Sequence, residues 1–288
     1  SPAETLVGLV GLREAPAPRR SLVLGLGTGI TASTVAAGAS ELHVVDSSPL
    51  APAIARRFSR ENGGFMRRDG WTLERADAIQ VLSRAGPAYD LILSTVNSAA
   101  FAPAAKIYTR EVMAAAAGRL SPDGVFVMWL DSVIPEPARR SIEAAMSEVW
   151  VGGCRRYRLS DGYVALACGR DDLAPSSRLK VPAVARVDRK LRSQGWQRGA
   201  GALVGALERG TAALATDVAP AQLDPPRLER LMADPRPPSD GDGGMHSAAP
   251  IFRGLMGGPE QCPAELFVSP WARCAFRYID RVCGEPGA

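Results

Sequence analysis

Three glycines at alternate positions, Gly25, Gly27 and Gly29, separate an apolar stretch from a run of small residues. A glycine-rich turn between a strand and a helix lets the backbone approach a ligand closely, with helix N–H groups facing it. A second apolar stretch ends at Asp46, where a carboxylate is placed to accept both hydroxyls of a ribose. This spacing predicts a site for a nucleoside-bearing cofactor, and we favour that role for Asp46 over a solvent-exposed acid at a strand end.

The elements that must position this site alternate along the chain. Strands are predicted at residues 21–24, 42–46, 71–75, 89–94 and 125–130, with helices between them. Such alternation is typical of a parallel, doubly wound sheet. Residues 154–159 and 163–168 are spaced to form an antiparallel hairpin around Ser160-Asp161-Gly162. We therefore expect an α/β fold with a doubly wound, seven-stranded, mostly parallel sheet, and a turn at residues 121–124 before the fifth strand.

Composition changes along the chain predict further segments. We expect a lead-in at 1–20, the cofactor-binding domain at 21–170, a helical extension at 171–233, a flexible linker at 234–249 and a helical tail at 250–288. The chain starts at Ser1-Pro2 without an initiator Met, and we expect it to be a processed or an excised piece.

Charge and hydropathy exclude several partners. The net charge is only +4 and no basic run is present, so nucleic acid is not expected. No apolar stretch reaches the roughly 20 residues of a membrane span, and no signal peptide is recognised. A cytoplasmic location is predicted, with membrane association only through a missing segment or a partner.

The five cysteines are odd in number and lack CxxC spacing. This pattern favours neither a disulfide framework nor a zinc site, and we predict no metal. Cys154 and Cys168 fall in predicted strands and are interpreted as small buried hydrophobic residues.

Several segments, taken together, resemble the spermidine synthase family of polyamine aminopropyltransferases. They are LVLGLGTG at 22–29, VVDSSP at 44–49, ADAIQVL at 76–82, YDLILS at 89–94, IYTREV at 107–112 and LSPDGVFVMWL at 120–130. The resemblance is strongest to the bacterial branch in which this domain is often fused to membrane-spanning segments. It covers about residues 5–220, including a degraded Thr-Asp-Asp-x-Pro motif at 215–220, and implies the class I S-adenosylmethionine-dependent transferase fold.

The resemblance also implies a cofactor, S-adenosylmethionine or its decarboxylated form, without a metal. Its binding residues would be Gly25, Gly27, Thr28, Gly29, Asp46, Ser47, Asp77, Ala78 and Ser94. The glycines would wrap the amino-acid or aminopropyl portion, Asp46 would hold the ribose, and Asp77 with Ala78 would contact adenine. For Asp77 the alternative interpretation is a helix N-cap.

The sequence departs from the family where catalysis is expected. The family places a carboxylate after the fourth strand, where the attacking amine must lose a proton, but Thr95 stands at that position. No acid occurs between Asp90 and Glu111, and the cation of Lys106 would repel a polyammonium acceptor. A threonine cannot act as a base near neutral pH without activation.

Three residues remain as catalytic candidates. Asp131, just after the fifth strand, could replace the missing base, or it could cap a helix or face water. Tyr108 matches an aromatic residue of the family at the start of a helix, and it could equally anchor that helix. Thr95 is the third candidate, because it stands where the family places its carboxylate.

Three functions therefore stay open. The first is a transferase with an altered acceptor site, acting on an amine or a neutral nucleophile. The second is a catalytically inactive binding or scaffold domain of a larger assembly, such as a membrane assembly. The third is a small-molecule methyltransferase, because methyl transfer can proceed by proximity to an already nucleophilic atom. A homodimer is also expected as one form of the protein.

Overall fold

The computed structural model describes residues 2–15, 17–96, 105–131, 134–150, 153–159, 163–169, 187–192 and 214–222. The strands are β1 (Arg20–Leu24), β2 (Glu41–Val45), β3 (Trp71–Glu74), β4 (Tyr89–Ser94), β5 (Leu120–Leu130), β6 (Cys154–Arg158) and β7 (Val164–Gly169). The helices are α1 (Pro2–Glu14), α2 (Ile30–Val35), α3 (Ala51–Arg57), α4 (Ala78–Ser83), α5 (Arg110–Gly118), α6 (Glu136–Val149) and α7 at 187–192. Short 3-10 helices lie at Phe65–Arg67 and Lys106–Tyr108. No helix in these ranges is long and apolar enough to span a membrane.

The seven strands form a sheet in the order β3-β2-β1-β4-β5-β7-β6. Strands β1 to β5 run parallel, whereas β7 is antiparallel to both β5 and β6. This arrangement confirms the predicted seven-stranded, mostly parallel sheet. β1 and β4 are apolar and buried because helices cover both faces of the sheet.

Two apolar layers cover the sheet, one on each face. Because side chains alternate along a strand, Leu22 and Leu24 face one layer and Val23 faces the other. The first layer includes buried residues of α4, α5 and α6. The second includes those of α1, α2, α3 and α7. The sheet is therefore doubly wound, as predicted.

Residues 2–14, predicted as part of a lead-in, form a helix within the second layer. Leu6, Leu9 and Val10 of α1 are at most 1% exposed. A Cβ on Gly8 would lie only 2.8 Å from the Cβ of Thr34, so α1 and α2 are in close contact. A helix that is buried on nearly all sides lacks the polar face by which sequence periodicity reveals a helix. α1 is therefore part of the α/β domain.

The fifth strand begins earlier than predicted. Residues 121–124, predicted as a turn, lie within β5, where the pairing passes from Tyr89–Leu120 to Leu91–Val125. The extra residues of β5 bulge from the ladder, and Pro122 is exposed. The turn-like composition thus marks a bulge rather than the end of a strand.

Cys154 and Cys168 form a disulfide bond between β6 and β7. Both are buried, as predicted, but their pairing corrects the interpretation of two separate small hydrophobic residues. The antiparallel register places them directly opposite, with their Cα atoms 4.3 Å apart. The number and spacing of cysteines along the chain do not reveal which two of them face each other across paired strands. Cys262, Cys274 and Cys283 lie outside the described residues.

Residues 214–222, which contain the degraded motif, pack back onto α5 and α6. The hydroxyl of Ser141 donates to the carbonyl of Ala219 at 2.8 Å, and the Ala221 N–H donates to the Ser141 carbonyl at 2.9 Å. The Arg110 N–H donates to the carbonyl of Ala221 at 2.8 Å. These contacts hold the segment against the first turn of α5 and the second turn of α6. The predicted linker and tail at 234–288 lie outside the described residues.

Candidate functional site

The glycine-rich loop follows β1 at the edge where the parallel strands end. Gly25, Gly27 and Gly29 have φ angles of +96°, +49° and +73°. These are left-handed conformations that glycine adopts without a steric cost. The Gly25 N–H donates to the carbonyl of Val45 at 2.7 Å, which ties the loop to the end of β2. The loop therefore lies beside Asp46, as the spacing required.

Asp46 holds the tip of this loop. Its Oδ2 accepts from the N–H of Leu26 at 2.7 Å and from the N–H of Gly27 at 3.4 Å. Its Oδ1 accepts from the N–H of Ser48 at 2.8 Å. Asp46 is partly exposed and its neighbour Ser47 is exposed. The carboxylate thus has a structural task in addition to its predicted role as a ribose ligand.

Two features of this edge fit a bound nucleoside. A Cβ added to Gly27 would meet no described atom within 4 Å, so the loop faces open space there. The hydroxyl of Ser94 is buried and has no hydrogen-bond partner among the described residues. Ser94 ends β4, and it is in register with Leu24 of β1 and Met128 of β5. An orphaned hydroxyl and an open loop at one edge suit a polar ligand.

Asp77 and Ala78 lie at the start of α4, after β3. Asp77 is the N-cap residue, and its Oδ1 accepts from the N–H of Ile79 at 2.7 Å. The alternative interpretation of Asp77 as a cap is therefore confirmed. Asp77 is exposed and Ala78 is partly exposed, and their contact with adenine stays a prediction.

Thr95 binds the glycine-rich loop. Its hydroxyl shares one proton between the carbonyl oxygens of Gly25, at 2.6 Å, and Leu24, at 2.9 Å. Its N–H also donates to the carbonyl of Leu24, at 2.9 Å. The side chain therefore joins the end of β4 to the loop, and its proton is directed at backbone oxygens.

Tyr108 is fully buried beneath the same edge. Its hydroxyl donates to the carbonyl of Val96 and lies 3.4 Å from the carbonyl of Trp129. Burial, with a smaller effect from the charge of Asp131, raises the pKa of Tyr108 well above its ordinary value. A phenol that is buried and stays protonated anchors the helix that follows, so the structure favours the anchoring role.

Asp131 follows β5 directly and is partly exposed. It is close enough to Tyr108 for its charge to affect the pKa of that phenol. Its backbone carbonyl accepts from the N–H of Ile134 at 3.2 Å. Among the three catalytic candidates, Asp131 is the one that carries a carboxylate to this edge. The side chain of Lys106 is exposed at the start of the 3-10 helix Lys106–Tyr108.

Glu4 was not predicted as a site residue. The hydroxyl of Thr28, within the loop, donates to its carboxylate, and the hydroxyl of Thr31 donates to its backbone carbonyl at 2.9 Å. Nearby, Nζ of Lys190 lies 3.3 Å from the carbonyl of Ile30, the first residue of α2. Burial lowers the pKa of Lys190 to about 8, while the charge of Glu4 opposes this shift. No local motif marks Glu4, because it precedes Thr28 of the loop by 24 residues along the chain.

Solved structures share this arrangement of strands and helices. A spermidine synthase in complex with the transition-state analogue AdoDATO is 16% identical, with 64% of this chain and 66% of that chain covered and a TM-score of 0.54. The spermidine synthase of Thermotoga maritima is 16% identical, with 64% of each chain covered and a TM-score of 0.51. The chain has the fold of spermidine synthase.

That fold is the Rossmann-like methyltransferase fold expected from the order of elements. This chain spans just under two thirds of the length of the two synthases. Human methyltransferase-like protein 13 in complex with SAH also matches, at 22% identity, 66% and 89% coverage and a TM-score of 0.47. No protein-family model and no curated protein sequence matches the chain.

At this edge of the spermidine synthase fold, the structure places the glycine-rich loop, Asp46, Ser94, Thr95 and Asp131. The described residues contain no group of three or more His, Cys, Asp or Glu side chains that could hold a metal ion.

Proposed function

We propose that the chain binds S-adenosylmethionine or its decarboxylated form and transfers a group from it to a small-molecule acceptor. The observation that carries this proposal is the attachment of Asp46 to the tip of a loop that faces open space at Gly27. This geometry places two features at the edge where the parallel strands end. One is a carboxylate that can accept from ribose hydroxyls, and the other is a loop whose backbone a ligand can approach closely. The spermidine synthase fold supports the same placement.

Each cofactor contact has a proposed residue. The loop, with Gly25, Gly27, Thr28 and Gly29, would hold the amino-acid or aminopropyl portion. Asp46 and Ser47 would accept from the ribose. Asp77 would accept from the exocyclic amine of adenine, and the N–H of Ala78 would donate to a ring nitrogen. The orphaned hydroxyl of Ser94 would bond to the ligand at the floor of the site.

We propose Asp131 as the residue that receives the acceptor's proton. When bound, the cofactor would supply a carbon attached to its sulfonium; the C–S bond would break as the new bond forms, and a neutral thioether would leave. This chain must bring a nucleophile to that carbon and remove a proton if the nucleophile is an amine. Asp131 follows β5 at the same edge and is partly exposed, so its carboxylate can serve as a base. Thr95 and Tyr108 would instead hold the walls of the acceptor site in place.

A catalytically inactive binding or scaffold domain is the second candidate. It is favoured by one observation: Thr95 and Tyr108 both direct their hydroxyl protons at backbone carbonyls. A methyltransferase that acts on a neutral acceptor is the third, since it needs no strong base. Membership of the membrane-fused branch, a membrane assembly, a homodimer and a cytoplasmic location also remain proposals.

The test is calorimetric titration of the whole chain with S-adenosylmethionine, its decarboxylated form and methylthioadenosine. Preference for the decarboxylated form would support aminopropyl transfer, and preference for S-adenosylmethionine would support methyl transfer. Absence of binding to all three would contradict the proposed function.

Two substitutions then assign the roles within the site. Asp46→Ala should weaken cofactor binding by at least about tenfold, since it removes charge-assisted hydrogen bonds. Asp123→Ala, in the exposed bulge of β5, is the matched control and should leave affinity unchanged. Asp131→Asn should abolish transfer while binding persists. Transfer at the original rate in this variant would exclude Asp131 as the base.

A further inference from the structure

A basic surface lies between the last turn of α3 and the start of β3. Its five side chains are exposed arginines: Arg56, Arg57, Arg60, Arg67 and Arg68. Two carboxylates, Glu61 and Asp69, belong to the same stretch, so residues 56–69 carry a net charge of +3, against +4 for the whole chain. Because other residues separate the arginines, no continuous basic run marks this surface in the sequence.

None of these five guanidinium groups forms an ion pair with a carboxylate of the described residues. Arginines on other elements do pair, for example Arg84 with Glu74 and Arg155 with Glu14. A guanidinium presents its donors in a planar fork that matches the oxygens of a phosphate or a carboxylate. The basic surface therefore offers such forks to an anionic partner.

The backbone beneath the basic surface is held by a buried side chain. Asn62 is fully buried, and its Nδ2 donates to the carbonyl of Ala55 in α3 at 2.7 Å. Its Oδ1 accepts from the N–H of Phe65 at 3.1 Å, at the start of the 3-10 helix that ends at Arg67. Asn62 thus joins the two elements that carry most of the arginines. Because the surface is formed before a partner arrives, docking costs little ordering of the backbone.

Two apolar side chains border the basic surface. Leu50 and Phe58, at the two ends of α3, are 40% and 37% exposed, and no other large hydrophobic side chain of the described ranges is exposed. Phe58 directly follows Arg57. Leu50 and Arg57 are seven positions apart, so they lie on the same face of the helix over two turns. Apolar side chains beside arginines are typical of a surface that lies at a lipid interface.

We propose that this basic surface docks the chain on an anionic phospholipid membrane. The arginines would bind headgroup phosphates, while Leu50 and Phe58 would enter the boundary between headgroups and acyl chains. Charge complementarity carries the proposal, and the two apolar side chains favour a lipid surface over nucleic acid. The net charge of the whole chain is small, so long-range attraction to nucleic acid is weak. The inference goes beyond the proposed function and does not depend on it.

Flotation of the whole chain with lipid vesicles tests this proposal. The chain should bind vesicles of phosphatidylcholine mixed with phosphatidylserine, and it should not bind vesicles of phosphatidylcholine alone. Binding should weaken as the salt concentration rises, because salt screens exposed charges. Arg56→Gln combined with Arg57→Gln should weaken binding about thirtyfold, since each basic side chain near an anionic surface contributes about fivefold.

Two further variants separate charge, apolar contact and location. Leu50→Ser should weaken binding at every salt concentration, because it removes an apolar contact and no charge. Arg19→Gln combined with Arg75→Gln is the matched control, since both arginines are exposed and lie outside the basic surface. This control should bind the anionic vesicles nearly as well as the original chain.

Three outcomes would overturn the inference. Failure of the original chain to prefer the anionic vesicles would show that it does not recognise an anionic membrane. Equal weakening in the control would show that net charge, rather than this surface, causes binding. Binding to a single-stranded oligonucleotide in place of the anionic vesicles, lost with Arg56 and Arg57, would assign the surface to nucleic acid. All three leave the proposed function intact, because cofactor titration measures it separately.

Discussion

The hydroxyl of Thr95 lies 2.6 Å from the carbonyl oxygen of Gly25, and a Cβ on Gly25 would lie 2.6 Å from that hydroxyl. The end of β4 and the start of the loop are therefore in direct contact through these two residues. Thr95 occupies the position where the resemblance implies a carboxylate. The contact explains how a threonine can be accommodated there: it donates to a backbone oxygen that a carboxylate would repel.

Thr95→Asp should destabilise the protein rather than restore a catalytic acid. An ionised aspartate has no proton to donate to the carbonyls of Gly25 and Leu24. We expect the free energy of unfolding to fall by about 1–3 kcal/mol, measured by denaturant titration. Thr95→Ser retains the hydroxyl and should cost less. Polyamine synthesis by a stable Thr95→Asp variant would contradict this prediction.

Gly25→Ala and Gly27→Ala should separate folding from ligand binding. Both positions have positive φ, but a Cβ at Gly25 also collides with Thr95, whereas one at Gly27 meets no described atom. We expect Gly25→Ala to lower the free energy of unfolding by more than about 2 kcal/mol, and Gly27→Ala by about 1–2 kcal/mol. Gly27→Ala should nevertheless weaken binding of adenosyl ligands, because its methyl group enters the space proposed for them. Retained affinity in Gly27→Ala would place the ligand elsewhere.

The disulfide between Cys154 and Cys168 should stabilise the edge hairpin. The bond closes a segment with a sequence separation of 14, and a loop of about that size contributes about 3 kcal/mol in the chain-entropy model. Replacing both cysteines with alanine should lower the free energy of unfolding by about that amount. Peptide mapping without reductant should recover the two segments linked, and separate peptides would contradict the pairing. Because disulfides are rare in cytosolic proteins, the mapping also tests the predicted cytoplasmic location.

His43, in β2, should make the free energy of unfolding depend on pH. Its Nε2 lies 3.0 Å from a carboxylate oxygen of Glu74, and its Nδ1 lies 3.0 Å from the hydroxyl of Tyr89. Burial lowers the pKa of His43 below its ordinary value of 6.5, although Glu74 opposes this shift. The unfolded chain therefore binds more protons, and stability should fall as the pH falls through 6.5 towards the lowered pKa.

The matched variant for this prediction is His43→Gln, which does not titrate. Unfolding free energies should be compared between about pH 7.5 and pH 5.5, above the range in which the carboxyl groups of Asp90 and Glu74 titrate. The original chain should lose more stability than the variant over this interval. Parallel curves for the two proteins would show that His43 does not cause the dependence.

Much of the fold could be predicted because its signals are local. Alternating apolar strands and helices identified the sheet, and the hairpin at β6 and β7 followed from two short strands. The bulge in β5 was missed because proline, aspartate and glycine favour a turn and a bulge alike. α1 was underestimated because burial on nearly all sides removes amphipathic periodicity.

For the candidate site, the sequence by itself determined the glycine-rich loop and the placement of Asp46 beside it, since a strand–loop–helix–strand unit brings these positions together. The resemblance to the spermidine synthase family also predicts a carboxylate at the position where Thr95 stands. Only the tertiary structure decided that the Thr95 proton faces Gly25, that Tyr108 is buried and that Glu4 reaches the loop. These contacts join elements from 12 to 70 residues apart, and their geometry depends on how the helices pack against the sheet rather than on any local pattern.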